Sequence, residues 1–112
     1  MDKYDRDREY LIRMIEYCDR IGSACERFGK TFESFIADPD YRDVINMNLF
    51  QIGELANQVS DELREEHPEV PWNQMYGIRN ILAHAYIKID DKIVWETVEK
   101  DIPILRENIS NI

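Results

Sequence analysis

The residues best suited to chemistry stand close together in the segment from Gly77 to Tyr86. Arg79 carries a permanent positive charge, His84 follows it by five positions, and Tyr86 lies two positions further on. A histidine can take up and release a proton near neutral pH, as general acid–base chemistry requires. The planar guanidinium of an arginine matches a phosphate and can stabilise negative charge that develops on it. The set therefore indicates phosphodiester chemistry.

The residues around this segment do not form a metal-ligand pattern. A metal site would need more histidine, cysteine or carboxylate at ligand spacing, and Asp90 and Asp91 lie too far along the chain to form a motif with His84. We therefore predict a reaction that uses neither a metal nor a cofactor. From spacing alone an alternative stays open, in which Arg79 and His84 are cations that stabilise a helix C-terminus and Tyr86 is a core residue.

The motif Arg79-x4-His84-x-Tyr86 resembles the signature of the HEPN superfamily and, within it, of the HepT-like toxin family. The likeness is not confined to the motif, because it extends through the whole stretch from Gln51 to Asp90. It includes three pairs of neighbouring residues, namely Gly53-Glu54, Pro71-Trp72 and Arg79-Asn80.

This resemblance implies a metal-independent endoribonuclease that acts as the toxin of a toxin–antitoxin pair. In such an enzyme the ribose 2′-hydroxyl attacks the adjacent phosphate, His84 transfers protons, Arg79 stabilises the phosphorane, and Asn80 orients the substrate or His84. Tyr86 would accept AMP from an MntA-like nucleotidyltransferase antitoxin, and the added charge and bulk would repel RNA. The alternative is an inactive HEPN-type dimer that serves as a binding scaffold for the nucleotidyltransferase.

Helix geometry limits how one chain can use these residues. Positions five apart on an ideal helix point about 140° away from each other, so Arg79 and His84 do not share a narrow face, whereas Asn80 and His84 do. The arginine stem could wrap round the helix, the helix could end near His84, or a second copy could complete the site. The resemblance implies the last arrangement, a symmetric homodimer with both motifs in one cleft.

Length and charge place further limits on the protein. At 112 residues the chain is predicted to be a single HEPN/HepT-like domain, residues 1–112. The formal net charge of −9 is unusual for an enzyme of nucleic acids, because phosphate binding usually requires a basic patch. Acidic and basic side chains balance from His67 to Lys92, so the excess acid lies elsewhere, where we interpret it as a solvated surface.

The sequence also indicates a cellular compartment. The first ten residues are dense in charge, and no apolar run approaches the roughly 20 residues of a membrane span, so neither a secretory signal nor a membrane contact is expected. Cys18 and Cys25 lie about 10.5 Å apart along a predicted helix, too far for a disulfide. We interpret them as buried thiols in a reducing environment, and we predict a cytoplasmic protein.

Apolar residues recur at helical spacing and strand patterns are scarce, so we predict an all-α fold. The expected architecture is an up-and-down bundle of four main helices, HEPN-like, with a short extra helix. The first helix is predicted from about Tyr4 to Phe28, and the short helix follows an N-cap at Thr31. The short helix is expected to turn three residues inward: Phe32, Phe35 and Ile36.

The second long helix is predicted from Pro39 to just before Pro68. Within it, Gly53 predicts a close approach of another helix, since glycine otherwise destabilises a helix interior. Glu54 is predicted either to pair with Arg79 or to remain solvated.

Trp72 is predicted to begin and anchor the third helix, which carries the motif, and His67 just before it is interpreted as a surface residue. Asp90 or Asp91 is expected to cap the fourth helix, and Pro103 is expected to bend it. The core face of the fourth helix is predicted to comprise Trp95, Val98, Ile102, Leu105, Ile109 and Ile112.

Overall fold

The computed structural model describes residues 2–84 and 88–112, and all the regular structure in these two ranges is helical. The helices are α1 (Lys3–Phe28), α2 (Phe32–Ala37), α3 (Pro39–Gln58), α4 (Asp61–Glu66), α5 (Trp72–His84), α6 (Asp91–Glu96) and α7 (Ile102–Ser110). A π-helical turn, Thr97–Asp101, joins α6 and α7 into one continuous element, which we call the C-terminal helix. The predicted all-α, HEPN-like fold is confirmed, with α2 as the short extra helix.

Helix α3 lies at the centre and runs antiparallel to the helices on either side. Near its start, the ring of Tyr41 stacks on Phe28 at the end of α1, with ring centroids 5.1 Å apart. Further along, Gly53 packs against Arg79 of α5. The C-terminal helix also packs against α1, where Arg106 Nε donates to Asp19 Oδ1 at 2.6 Å. The motif-bearing α5 therefore packs directly on the central helix of the bundle.

Local capping determines where the first helices end and begin, as the sequence predicts. Gly29 ends α1 with a φ of 119°, and its N–H donates to the carbonyl of Cys25 at 3.0 Å. Thr31 and Ser34 then cap α2 reciprocally, since each side chain accepts from the backbone N–H of the other. Asp90 caps the start of the C-terminal helix, since its Oδ1 accepts from the backbone N–H of Lys92 at 2.9 Å.

The prediction of one uninterrupted helix from Pro39 to Pro68 is wrong, because the chain leaves the helix just before Ser60. The hydroxyl of Ser60 accepts from the N–H of Leu63 at 3.2 Å and so starts the separate helix α4. Asp7 of α1, only 6% exposed, accepts from both the backbone N–H and the hydroxyl of Ser60, at 2.9 and 2.6 Å. This contact holds the corner between α3 and α4 against the first helix.

The core contains a cluster of aromatic rings between α2, α3 and α6. The ring centroid of Phe35 lies 5.3 Å from that of Tyr41 and 5.3 Å from that of Trp95. Ile36 was expected beside Phe35, but it is 41% exposed, and Ile112 is also 41% exposed. Both expectations are wrong. Ile36 lies near the end of a short helix and Ile112 lies after α7, and at these positions the neighbouring helices do not bury the apolar side chain.

The two cysteines are free thiols, as predicted. Cys18 is buried, and burial raises the pKa of its thiol to about 12, so it is a packing residue rather than a nucleophile. Cys25 is only half-buried, so the prediction of a buried thiol is confirmed for Cys18 and wrong for Cys25.

Pro103 is the second residue of α7, where a missing N–H is tolerated, and the π turn precedes this helix. The bend expected at Pro103 stays a prediction. In the described part of the chain, no helix combines the length and the apolar character needed to cross a membrane.

Candidate active site

The helix that carries the motif is anchored at its first residue. Trp72 is buried, and its Nε1 donates to the carbonyl of His67 at 2.9 Å. His67 therefore contributes its backbone to the start of α5, while its ring Nδ1 lies 3.1 Å from Glu69 Oε1. Apolar residues of α5 then recur at three- and four-residue spacing and are buried, namely Met75, Ile78 and Leu82. This face fixes the rotation of α5 about its axis, and hence the direction of the polar side chains.

Gly53 allows α5 to approach α3 more closely than any side chain would permit. A Cβ added at Gly53 would lie 2.7 Å from the backbone carbonyl oxygen of Met75 and closer still to the Cβ of Arg79. The predicted close approach at Gly53 is confirmed, and the residue pressed against it is the motif arginine. Backbone contact between two helices thus positions the stem of Arg79.

The guanidinium of Arg79 is held on three sides. Its Nε donates to Glu54 Oε1 of α3, so the predicted ion pair is present. Its Nη1 donates to Asn80 Oδ1 at 3.1 Å, and its Cζ lies over the rings of Phe50 and Tyr76, 5.1 and 5.9 Å from their centroids. None of the described residues bonds to Nη2, and the side chain is 24% exposed. The guanidinium is therefore fixed in direction and retains N–H groups that can donate hydrogen bonds to an anion.

His84 is the last residue of α5 and is exposed to solvent. Its imidazole makes no hydrogen bond with the residues that the structure describes. The side-chain hydrogen bond of Asn80 is to Arg79, so Asn80 orients the arginine rather than the histidine. A single chain thus joins Arg79, Glu54 and Asn80 by hydrogen bonds, and His84 at the helix end has no hydrogen bond to any of the three. Tyr86, the predicted site of AMP addition, lies outside the described residues.

Phe50 and Tyr76 are site residues that the sequence reasoning did not assign to the site. Phe50 lies four positions before Glu54 on α3, and Tyr76 lies three positions before Arg79 on α5. Residues at these spacings are neighbours on a helix surface. An aromatic residue at such a spacing from each member of the predicted ion pair was the signal that could have identified them.

An open groove of about 840 Å³ begins beside Phe50 and runs between α3 and the end of α5. Its described walls are Asn46, Met47, Phe50 and Gln51 on α3, with Leu82 and Ile89 opposite and Asp43 at one end. Because Phe50 also lies against Arg79, the groove and the fixed guanidinium are adjacent. A site for single-stranded RNA needs both a positive group for the phosphate backbone and an adjacent surface on which bases can stack.

The family model and the relatives that match this chain agree on one family of proteins. The model of the family described as ribonuclease HepT-like matches residues 14–112. The chain is 33% identical over 105 residues to "Putative RNase TTE0752" of Caldanaerobacter subterraneus subsp. tengcongensis, an alignment that covers 94% of this chain and 92% of that protein. It is 36% identical over 75 residues to "Probable ribonuclease HepT" of Thermococcus cleftensis, covering 67% and 68% of the two chains. No solved structure matches.

Proposed function

Because this chain belongs to the ribonuclease HepT-like family, we propose that it is a metal-independent endoribonuclease and the toxin of a toxin–antitoxin system, acting in the cytoplasm. The observation that carries the proposal is the setting of Arg79. Glu54, Asn80 and two aromatic rings fix its guanidinium, its Nη2 bonds to none of the described residues, and Phe50 lies between it and the open groove.

The reaction follows from the chemistry of the two motif residues. The ribose 2′-hydroxyl attacks the neighbouring phosphorus while His84 accepts the hydroxyl proton, and Arg79 stabilises the charge on the pentacoordinate phosphorane. The bond to the 5′-oxygen then breaks, a protonated His84 returns a proton to the leaving oxygen, and the products carry a 2′,3′-cyclic phosphate and a 5′-hydroxyl. Neither step needs a metal ion or a cofactor, since the arginine supplies the positive charge and the histidine moves the proton.

A homodimer would bring the two groups together. Arg79 hydrogen-bonds to Glu54 of α3, whereas His84 is exposed at the end of α5 and hydrogen-bonds to none of the described residues. A two-fold axis beside the end of α5 would place His84 of one copy near the guanidinium of the other. The groove reaches this end of α5, since Leu82 forms part of its wall.

The proposed control is addition of AMP to Tyr86 by an MntA-like nucleotidyltransferase antitoxin. Tyr86 follows His84 by two positions, so an attached nucleotide would bring negative charge next to the proton-transferring residue and repel the RNA backbone. A second candidate function is an inactive dimeric scaffold that binds the nucleotidyltransferase. It is favoured by the net charge of −9, which opposes RNA binding.

The test of the nuclease proposal is an assay with purified protein, single-stranded RNA and excess EDTA. Wild type is expected to cut the RNA and to leave 2′,3′-cyclic phosphate ends. Arg79→Ala is expected to cut at least about 100-fold more slowly, since it removes a donor to the developing charge. If the wild-type protein leaves the RNA intact but still binds the nucleotidyltransferase, it is the scaffold. If cleavage strictly requires a divalent metal, the proposed mechanism is refuted.

The control by AMP addition has its own test. Incubation with the nucleotidyltransferase and ATP is expected to add the mass of one AMP unit to the peptide that contains Tyr86, and to stop RNA cleavage. Tyr86→Phe should remain unmodified and active under the same conditions. Modification confined to another tyrosine, such as Tyr76, would refute the assignment.

A further inference from the structure

The groove beside Arg79 contains an amide that the protein leaves without a partner. Asn46 Oδ1 is buried and has no hydrogen-bond partner, the one such buried side-chain atom among the described residues. The Nδ2 of the same side chain makes no hydrogen bond with the described residues either. A buried acceptor left unpaired is costly and rare in native proteins, so this amide calls for an explanation.

The rest of the groove has the character of a base-binding surface. Phe50 and Leu82 contribute apolar walls, Met47 is 61% exposed beside them, and Gln51 supplies a second amide. Single-stranded RNA is recognised by stacking of bases on aromatic and apolar side chains, combined with hydrogen bonds to the base edges. The carboxylate of Asp43 at one end makes the groove unsuited to phosphate, so the phosphate belongs at Arg79 and the base in the groove.

The position of Phe50 links the two parts. Its ring lies 5.1 Å from the guanidinium carbon of Arg79 and also forms part of the groove wall. A nucleotide with its phosphate at the guanidinium would therefore have its base at the mouth of the groove. The volume of about 840 Å³ is within the range of small-molecule sites and accommodates a base.

We propose that this groove binds the base next to the scissile phosphate and prefers adenine, with Asn46 as the residue that reads it. Because neither end of the Asn46 amide hydrogen-bonds to the described residues, the amide can turn to present both groups to the groove. Its oxygen then accepts from the exocyclic amine of adenine while its nitrogen donates to a ring nitrogen, the bidentate pairing that asparagine makes with this base. This inference rests on the proposed nuclease function, since it assigns a base to the substrate of that site.

The binding test uses oligonucleotides that cannot be cut. Pentamers of 2′-deoxyribose lack the attacking hydroxyl, so affinity can be measured by fluorescence anisotropy whether or not the protein cleaves RNA. Wild type is expected to bind the deoxyadenosine pentamer about fivefold or more tightly than the deoxycytidine and thymidine pentamers, the lower end of what one bidentate base contact contributes. Asn46→Ala should lose this preference. Asn57→Ala, which changes an exposed asparagine on the same helix outside the groove, should keep it.

The cleavage test separates this proposal from the nuclease function itself. RNAs with each of the four bases beside a single cleavable linkage are expected to show preference for adenine in wild type and in Asn57→Ala, and none in Asn46→Ala. Cleavage without a preference, or a preference that survives Asn46→Ala, would overturn the base site while leaving the nuclease intact. If Asn46→Ala changed the mass of the particle in light scattering and not the base preference, the groove would be a contact between copies.

Discussion

Replacing His84 by alanine is expected to reduce RNA cleavage about 100- to 10,000-fold while leaving the fold unchanged. The rate loss is the usual contribution of a general acid–base residue. The fold should survive because the side chain is exposed and hydrogen-bonds to none of the described residues, and such surface changes usually alter stability by less than about 0.5 kcal/mol. Initial rates on single-stranded RNA and thermal unfolding of the same preparations measure the two effects separately.

The other histidine provides the matched control. His67 supports the start of α5 through its backbone carbonyl, which alanine retains, and among the described residues its ring forms a polar contact with Glu69 alone. His67→Ala should therefore cleave RNA at the wild-type rate. Equal rates for wild type and His84→Ala would remove His84 from the mechanism, and equal losses in both histidine variants would indicate a general effect rather than proton transfer.

Replacing Gly53 by alanine is expected to lower the free energy of unfolding by about 1–3 kcal/mol, the usual result of overpacking. A methyl group there would meet the backbone of Met75 and the stem of Arg79, so α5 would have to move away from α3. Each kcal/mol corresponds to about 4–8 °C in the midpoint of thermal unfolding for a domain near this size. Cleavage should fall as well, because the shift moves Arg79 away from Glu54.

Gly77 on α5 offers the control for this substitution. A Cβ added at Gly77 would have no neighbour within 4 Å, so Gly77→Ala should gain the helix propensity of alanine, up to about 1 kcal/mol. The two changes are chemically identical and differ only in what the new methyl group meets. If Gly53→Ala were as stable as Gly77→Ala, the close contact of the two helices would be refuted.

The helical pattern in the sequence was sufficient to predict the fold and part of the site. Gly53 and Glu54 are adjacent on the face of α3 that meets α5, and a glycine that weakens a helix beside a carboxylate indicates both a close approach and a partner for a cation. The close approach at Gly53 was therefore predictable, and so was the contact of Arg79 with Glu54 as one of two alternatives that the sequence left open. The contacts of Arg79 with Phe50 and Tyr76 were not, since the way two helices rotate against each other depends on the packing of all their buried residues.

The break before Ser60 shows where apolar spacing is misleading. Leu63 follows Val59 at the four-residue spacing of an apolar helix face, and this spacing alone predicts one long helix. The serine that precedes Asp61 and Glu62 is a favourable N-cap, but choosing between a cap and a continuing helix depends on Asp7, a distant residue that accepts two hydrogen bonds from it.

The bond between Asp7 and Ser60 joins positions 53 residues apart, and this has a practical consequence. The opening turns of α1 are not a dispensable leader, since truncation past Asp7 would leave two donors at the α3–α4 corner without their acceptor. A tag or fusion attached before α1 should preserve the bond between Asp7 and Ser60. The α3–α4 corner that this bond holds lies just before the segment that leads into α5.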